Sequence, residues 1–520
     1  MEPDSQELTS WLRQAQDALD RDSLSEAESA LGEVLRLDGG HVPALFNLGN
    51  LLSARGAAGE AVRCYQEVLR LSPDLLPAWQ NLGNALLSQG LIPMAEAAFT
   101  RALELAPDSA QAHYNLGVAL AARDEAEAMA HFRAALAQDP ECLDAAINLA
   151  TLLLERGETH EPLALARYAV DRAPSHAAAH NAVGVALERA GDLPGALDSY
   201  RRAVDLAPES ADLRFNLATA LLALGHWTEG WKAYEARKGT CFRPPEHPTA
   251  PPWQGEPLEG RRLLVLAEQG LGDTIQFARL LSLLPGAPEV TFRVQPGLGE
   301  VLHGLPGAAR ILEAELRTPI PETLATDFQV PLLSLPGILE LRPESIPVAA
   351  PCQPPSPQRL AAISAILGTH DRLRVGLVAS GNPHHVRNLQ RSCPFDSLAP
   401  LLDLPGIQFV SLQQGEIGGR MAADPRLLDL APHLHHLADL QAALTALDLL
   451  ISVDTMPAHL AGVLALPVWI LLDAAPDWRW MVDRQDTPWY PTARLFRQPA
   501  PGAWAEVIAQ VRAALQELAG

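Results

Sequence analysis

A polar turn between two apolar runs is the most chemically suggestive part of this sequence. In LLISVDTMPAHLAGVLALPVWILL (449–472), the outer runs predict two buried strands of a parallel sheet, and the middle predicts a helix. Asp454 and Thr455 follow the first strand at its carboxyl end, where open α/β sheets place their ligands. Thr455 suits the N-cap of the helix, whose free N–H groups can bind a phosphate. The turn therefore predicts a phosphate-binding site.

The charged side chains of this segment predict further contacts. A carboxylate repels a phosphate, so we expect Asp454 to bind the hydroxyl groups of a sugar or ribose instead. His459 lies one helical turn further on, on the same side as Thr455. The sequence leaves two roles open for it, a ligand of the bound molecule or a core histidine whose hydrogen bonds are made within the protein.

The first half of the chain is an internal repeat. Its prolines recur at intervals of 33 or 34 residues, the tetratricopeptide period, at Pro73, Pro107, Pro140, Pro174 and Pro208. Small residues at fixed positions allow two antiparallel helices to approach, and each proline ends the second helix of its unit. We therefore predict a superhelix of tetratricopeptide repeats over residues 1–238, with a concave groove that binds a polypeptide.

An asparagine recurs at one position in the first helix of most repeats. The positions are Asn47, Asn81, Asn115, Asn148 and Asn216. One amide per repeat on the groove side could bind the backbone of an extended peptide at regular steps. The alternative is that asparagine is common here and supports the neighbouring helix. Ala182 interrupts the series and keeps both interpretations open.

The second half predicts two further domains. Residues 239–260 are rich in proline and lose helical periodicity, which indicates a linker. Strands and helices then alternate over residues 261–365 and again over 366–520, which is typical of Rossmann-like domains. Two such domains in tandem form a cleft between the carboxyl ends of their strands. On the N-terminal side of segment 449–472, the predicted strands are 262–267, 289–294, 327–331, 374–380 and 408–413.

Composition limits the partners and the compartment. A formal net charge of −23 argues against a nucleic-acid partner or an anionic membrane surface. The five cysteines have neither disulfide nor metal-ligand spacing, and Pro432 breaks any helix that would gather the HLHH histidines (433–436) around a metal. The N-terminus does not resemble a signal peptide, and no apolar run reaches the ~18–20 residues of a membrane span. We therefore expect a cytoplasmic protein.

Three motifs of the second half resemble those of a known enzyme family. EQGLGDTIQFARL (268–280), RSCP (391–394) and SVDTMPAHLAG (452–462) are similar to segments of GT-B glycosyltransferases of the heptosyltransferase type. With the repeats, the whole chain resembles bacterial tetratricopeptide-repeat glycosyltransferases and, more distantly, the O-linked N-acetylglucosamine transferases. The resemblance implies an α-solenoid followed by a GT-B fold of two Rossmann-like domains. It also implies inverting, metal-independent transfer of a sugar from a nucleotide diphosphate, without a cofactor.

The same resemblance assigns roles to individual residues. Asp273 corresponds to the family's catalytic base, and Arg391 to the cation that holds the donor diphosphate. The third motif is similar to the donor-binding loop of the family, which places Asp454, Thr455 and His459 at the donor.

Each candidate on the loops has an alternative. Asp273 is also suited to the N-cap of a helix that starts at Thr274. Arg391 is well shaped for a bidentate phosphate contact but could be a solvated surface charge, with Arg387 as a competing ligand.

Two further candidates end predicted strands. The Ser380, Gly381 and Asn382 turn could give N–H groups to the donor or be an ordinary turn. Gln413 could touch the nucleobase or be an ordinary turn residue. Trp478 and Trp480 are expected to pack near the seam between the domains.

These observations predict a glycosyltransferase whose acceptor is a protein or peptide bound by the repeats. A second hypothesis is a non-catalytic repeat scaffold, because Met456 and Ala379 depart from the family's pattern and a fold alone does not establish activity. A third is a small-molecule or lipid-linked acceptor, with the repeats serving assembly.

Overall fold

The computed structural model describes residues 5–21, 23–241, 245–286, 288–348, 353–383, 385 and 387–519. Its chain forms two compact units, Met1–Ala182 and Val183–Gly520. The first unit is built from paired helices, and the second adds two parallel sheets to the last helices of the repeat array.

Antiparallel helix pairs make up the first unit. Its helices are α1 (Ser5–Asp20), α2 (Leu24–Leu37), α3 (Val42–Ala54), α4 (Ala58–Leu71), α5 (Leu76–Ser88), α6 (Ile92–Leu105), α7 (Ala110–Leu120), α8 (Glu125–Gln138), α9 (Leu143–Glu155), α10 (His160–Arg172) and the first part of α11 (Ala177–Arg189). Four helices of the first unit, α4, α6, α8 and α10, end two residues before one of the spaced prolines, as α4 does before Pro73. The predicted role of these prolines at the ends of the second helices is thus confirmed, although α2 ends at Leu37 without one. A continuous apolar core runs through this unit from Leu45 to Leu153.

Glycine at a fixed position lets the two helices of a repeat touch. A Cβ atom on Gly83 would lie 2.3 Å from the ring of Phe99, and one on Gly117 would lie 2.7 Å from Phe132. Both rings are fully buried. The helix spacing in these repeats is therefore set by an aromatic ring that rests directly on the backbone of the partner helix.

Replacing Gly83 by alanine is expected to destabilise the repeats by about 1–3 kcal/mol, because the new methyl group overlaps the Phe99 ring in a close-packed core. The measurement is the urea midpoint of the helical transition, followed by circular dichroism. Gly59→Ala is the matched control, since Gly59 also lies in a helix but its Cβ would be 3.8 Å from the nearest atom, Gln89 Oε1. Equal midpoints for the two variants would contradict the packing argument.

The second unit begins with the end of α11 and three further helices. These are α12 (Leu193–Leu206), α13 (Ala211–Ala223) and α14 (Trp227–Tyr234). Aromatic side chains join them to the sheet region: Trp227 stacks on Trp489 at 5.5 Å, and Trp231 meets Trp478 edge-on at 5.3 Å. Trp478 also lies 6.3 Å from Phe277, so it packs at the predicted seam.

Two parallel sheets follow the helices, as the predicted fold class requires. The first has the strand order β3-β2-β1-β4, with β1 (Arg262–Leu266), β2 (Glu289–Val294), β3 (Arg310–Glu313) and β4 (Phe328–Pro331). The second has the order β10-β9-β8-β5-β6-β7, with β5 (Leu373–Val378), β6 (Ile407–Ser411), β7 (Leu427–Asp429), β8 (Leu449–Val453), β9 (Val468–Leu472) and β10 (Ala493–Arg497). This arrangement is consistent with two Rossmann-like domains; the predicted boundaries at 238, 260 and 365 stay predictions.

Helices cover the faces of these sheets. They are α15 (Leu271–Phe277), α16 (Leu298–Val301), α17 (Leu335–Ile338), α18 (Pro357–Leu367), α19 (Asn388–Arg391), α20 (Phe395–Leu398), α21 (Gly415–Ala422), α22 (Leu437–Thr445), α23 (Met456–Val463) and α24 (Trp504–Ala519). Every residue of β8 and β9 is buried, because both faces of the sheet are covered. In the ranges that the structure describes, no helix has both the length and the apolar character to cross a bilayer.

The linker runs along the edge of the first sheet. Its Trp253 is 2% exposed, and its backbone N–H donates to the carbonyl of Gln329 in β4 at 2.8 Å. Residues 245–260 are therefore packed against the sheet.

A buried ion pair fastens the end of the repeat helices to the first sheet. Arg237, with no exposed side-chain surface, donates to both carboxylate oxygens of Glu268 at 2.8 and 3.1 Å and to the Ser334 hydroxyl at 2.9 Å. Glu268 also accepts the backbone N–H of Leu333 at 2.9 Å. Burial lowers the pKa of Arg237, but the Glu268 carboxylate outweighs burial and raises this pKa overall.

Candidate functional site

Two polar turns lie side by side at the carboxyl edge of the second sheet. One follows β5 and the other follows β8, and these strands are neighbours, with Val378 paired to Ser452. The strand order reverses here, since β6 and β7 extend from one side of β5 and β8 to β10 from the other. Open α/β sheets bind ligands at such a point. The structure thus brings the turn at Ser380–Asn382 and the turn at Asp454–Thr455 to one crevice.

The turn after β8 leads into α23. Thr455 is the N-cap, as predicted, and Pro457 lies in the first helical turn. The Thr455 side chain makes no capping hydrogen bond to the described residues, so its hydroxyl remains for a ligand. Pro457 has no N–H and the Ala458 N–H donates to the Thr455 carbonyl at 2.9 Å, so Met456 supplies the N–H of the first turn that has no acceptor in the described residues.

His459 is held within the protein. Its Nδ1 lies 2.9 Å from the Tyr490 hydroxyl, its Nε2 faces Asp454 Oδ1 at 3.6 Å, and its ring stacks on Trp480 at 5.4 Å. Burial raises the pKa of Asp454, but the contact with His459 outweighs burial and lowers it overall, so the carboxyl is ionised. These contacts are those expected of a core histidine whose hydrogen bonds are made within the protein. In this position, the His459 ring orients the Asp454 carboxylate in the crevice.

Arg391 lies against the turn after β5. Its Nη2 is 2.5 Å from the position that a Cβ on Gly381 would take, so a side chain there would displace the guanidinium. The Nε atom is buried without a hydrogen-bond partner in the described chain, where the Arg391 guanidinium also has no ion pair within 4 Å. Burial lowers the pKa of Arg391, and Asp454 nearby raises it in part. A half-buried cation that makes no direct ion pair in the described residues is suited to holding an anionic ligand.

The amide of Gln413 shapes the same turn. Its Oε1 accepts the backbone N–H groups of Ala379 at 2.8 Å and Ser380 at 2.9 Å, and its Nε2 donates to the Gln414 carbonyl at 3.0 Å. The Ser380 N–H is therefore already occupied, and Gln413, 6% exposed, acts on the turn. A contact between Gln413 and a nucleobase stays a prediction.

Asp273 comes from the first sheet region, near the start of α15. This helix begins at Leu271 rather than at the predicted Thr274, and Gly270 is its N-cap. Asp273 is therefore not the N-cap but the third residue of the helix, from which it still caps the helix start, because its Oδ2 accepts the Gly270 N–H at 2.8 Å. A Cβ on Gly272 would lie 2.7 Å from the His459 ring, so the starts of α15 and α23 touch. Asp273 thus lies at the same crevice as the turn after β8.

Arg479, which sequence reasoning missed, pairs with the other oxygen of Asp273. It belongs to the loop after β9, is 6% exposed, bonds Asp477 Oδ1 at 2.8 Å and lies over the Trp478 ring at 4.3 Å. Burial lowers the pKa of Arg479, but the two carboxylates raise it well above its usual value. In the sequence, the only indication of this role was that Arg479 lies between two tryptophans. This pattern indicates a buried guanidinium but does not identify the carboxylate that pairs with it.

The repeat asparagines differ in their surroundings. Asn81 donates to Asn50 Oδ1 on α3 at 2.7 Å, which is the helix-supporting alternative. Asn115 is 4% exposed and accepts from Gln111 at 2.8 Å, while its Nδ2 has no partner in the described residues. Asn47 and Asn148 are partly exposed in the first unit, and Asn216 is partly exposed in the second. Peptide binding by this series stays a prediction.

A cavity of about 150 Å³ lies within the second unit beside the crevice. Residues from α11 to α13, among them Glu188 and Thr219, form one side. Arg387 and the loop after β9, with Asp477 and Trp478, form the other. The last repeat helices therefore reach the same loop that holds Arg479.

Comparison with known proteins identifies the repeats. The family model for the tetratricopeptide repeat matches residues 12–75, 81–142 and 147–211. The chain is thus a tetratricopeptide-repeat protein with a carboxyl-terminal α/β region of two parallel sheets. It is similar to Protein FlbA of Caulobacter vibrioides, at 27% identity over 437 residues that cover 76% of this chain and 70% of FlbA.

Solved repeat proteins also match this chain. A tetratricopeptide repeat protein from Parabacteroides merdae has a TM-score of 0.41 and 17% identity, covering 46% of this chain and 94% of its own. YrrB, described as a TPR protein with an unusual peptide-binding site, has a TM-score of 0.29 and 22% identity, covering 35% of this chain and 95% of its own.

Proposed function

We propose that this protein is a glycosyltransferase that moves a sugar from a nucleotide diphosphate to an acceptor bound by the repeats. One observation carries the proposal. The start of α15, which carries Asp273, touches His459 of α23, and Arg391, which has no ion pair in the described residues, lies against the neighbouring turn after β5. A polypeptide is the proposed acceptor, because tetratricopeptide repeats are a protein-binding architecture.

In the proposed reaction, Asp273 removes the proton from an acceptor hydroxyl as the oxygen attacks the anomeric carbon of the sugar. The bond from that carbon to the diphosphate breaks in the same step, with inversion. Gly270 and Arg479 orient the carboxylate, and each of its oxygens keeps a further lone pair for the proton. The acceptor oxygen must therefore approach Asp273 from the crevice side.

The leaving diphosphate needs positive charge, and two groups of the second sheet can supply it. The Arg391 guanidinium offers donors in a fixed fork, and the start of α23 offers the positive end of a helix dipole with the Met456 N–H. Asp454 is placed to bind a sugar or ribose hydroxyl. These groups stabilise the charge that develops as the bond breaks, which is the larger part of the proposed catalysis.

Replacing Arg391 by glutamine should weaken the binding of a nucleoside diphosphate by roughly 10–100-fold, because a hydrogen bond between charged groups contributes about 1.5–3 kcal/mol. Isothermal titration with ADP, GDP and UDP measures the affinities. Arg420→Gln is the matched control, since Arg420 is exposed in the same region and pairs only with Asp396 in the described chain. Wild-type protein that binds none of the three diphosphates would refute the transferase proposal.

A non-catalytic scaffold is the second candidate, and the close contact between the starts of α15 and α23 favours it. A Cβ on Gly272 would already overlap the His459 ring, so a donor must fit beside this contact. A scaffold would bind its partner through the repeats and release no sugar from any nucleotide. Incubating the full chain with radiolabelled nucleotide sugars and a host lysate separates the two candidates.

A further inference from the structure

Gln276 of α15 carries a buried amide that the proposed reaction does not yet use. Its side chain has no exposed surface, and neither its Oε1 nor its Nε2 has a hydrogen-bond partner in the described residues. Buried side-chain amides in folded proteins nearly always have partners, because burying one without a hydrogen bond costs free energy. Both atoms of the Gln276 amide are thus available to a ligand that brings its own donor and acceptor.

Two contacts between α15 and the second sheet region lie on either side of Gln276. One turn before it, a Cβ on Gly272 would lie 2.7 Å from the His459 ring. One turn after it, the Arg279 guanidinium lies over the Tyr490 ring at 4.9 Å. Residues three or four positions apart share a helix face, so Gln276 belongs to the face of α15 that packs against the second sheet region.

The neighbours of Gln276 in this contact make their hydrogen bonds elsewhere. His459 Nδ1 lies 2.9 Å from the Tyr490 hydroxyl, and its Nε2 faces Asp454 Oδ1 at 3.6 Å. Arg279 Nε donates at 2.9 Å to the backbone carbonyl of Gln276 and not to its side chain. None of these three neighbours therefore occupies the amide.

The Gln276 amide is directed toward the end of α15 that borders the crevice. A helical side chain leans toward the N-terminus of its helix, so this amide extends over the first turn, which carries Asp273. Because the amide has no exposed surface, a ligand reaches it only when this turn moves away from α23. The other end of the segment is held by Arg279, whose Nη1 donates to the Trp489 carbonyl at 2.6 Å.

We propose that Gln276 binds hydroxyl groups of the sugar that is transferred, and this inference rests on the proposed function. An amide offers one acceptor and two donors in one plane, which suits two neighbouring hydroxyl groups of a sugar. The proposed base, Asp273, lies in the same turn of α15, and the proposed sugar or ribose ligand, Asp454, lies across the contact. The donor then separates the starts of α15 and α23 and supplies the partners that Gln276 lacks within the described chain.

The test compares nucleotide sugars with the diphosphates that they contain, by isothermal titration of the full chain. Gln276→Met keeps the length of the side chain but removes the amide. It should weaken the binding of UDP-glucose, UDP-N-acetylglucosamine or GDP-mannose, whichever the wild type binds, by roughly tenfold, because two hydrogen bonds to the sugar are lost. The affinity for UDP or GDP should not change.

Thermal unfolding without a ligand gives a second, independent readout. Gln276→Met should raise the Tm, because it removes a buried polar group that has no partner in the described chain. Gln441→Met is the matched control: Gln441 is 2% exposed, but its Nε2 donates to the Gln353 carbonyl at 2.6 Å. This control should lower the Tm and should bind every ligand as the wild type does.

The outcomes separate this inference from the proposed function. If Gln276→Met binds nucleotide sugars as tightly as the wild type, or loses UDP and GDP by the same factor, the sugar contact is refuted and the transferase proposal stands. A Gln276→Met protein with a lower Tm than the wild type would show that the amide supports the fold, which also overturns the inference. If the wild type binds neither the diphosphates nor the nucleotide sugars, both proposals fall.

Discussion

Replacing Asp273 by asparagine should lower the rate of sugar transfer by about 10²–10⁴-fold, because the acceptor hydroxyl would lose its proposed general base. The affinity for nucleoside diphosphates should change little, since the residues proposed to hold the diphosphate belong to the second sheet region. The asparagine Oδ1 can still accept the Gly270 N–H, so the start of α15 is expected to remain folded. The measurement is single-turnover transfer from a radiolabelled nucleotide sugar, with diphosphate binding measured on the same preparation.

Asp371→Asn is the control for this experiment. Asp371 undergoes the same chemical change, but its side chain is 69% exposed, and its one ion pair within the described ranges is with the adjacent Arg372 at 3.9 Å. It should transfer sugar at the wild-type rate. An Asp273→Asn protein that labels acceptors as fast as the wild type would remove Asp273 from the mechanism, and the base would have to be sought elsewhere in the crevice.

Replacing Glu268 by alanine should destabilise the second unit by about 3–5 kcal/mol, because Arg237 would keep a buried charge without its main partner. The alanine also leaves the Leu333 N–H without its acceptor. The urea midpoint of the unfolding transition, followed by tryptophan fluorescence, measures the loss. Aromatic side chains from the repeats and from the sheet region report on this transition together.

Two further variants show whether the loss comes from the unpaired charge. Glu235→Ala removes a second carboxylate on Arg237, but one that is 39% exposed, and should cost no more than about 1 kcal/mol. Arg237→Met combined with Glu268→Leu removes both charges and should recover much of the stability. A double variant as unstable as Glu268→Ala alone would mean that lost packing, and not the buried charge, causes the effect.

Local sequence patterns predicted the repeat helices and the fully buried strands. The period of 33 or 34 residues identified the repeats, and the apolar runs at the two ends of segment 449–472 located β8 and β9. The short strands β3, β7 and β10 were not predicted. Two of them, β7 and β10, are edge strands of the second sheet and β3 is an edge strand of the first, so they carry exposed or half-buried residues and lack an apolar run.

Motif resemblance predicted candidates on each turn but not how they contact one another. Gln413 illustrates the difference: its type and position suggested a ligand contact, yet its amide holds the backbone of the turn after β5. His459 likewise contacts Tyr490 and Asp454 within the protein. Which nitrogen or oxygen of a side chain is left for a ligand depends on neighbours that are distant in sequence.

By itself, the sequence determined the repeat array, the two parallel sheets and the turns that end their strands, because periodicity and apolar runs are local properties. Only the tertiary structure decided which charged side chains form ion pairs. Arg479 pairs with Asp273 across 206 positions of the chain. The physical reason is that an ion pair depends on the distance between its charges in space, and this distance is set by the packing of the helices and sheets.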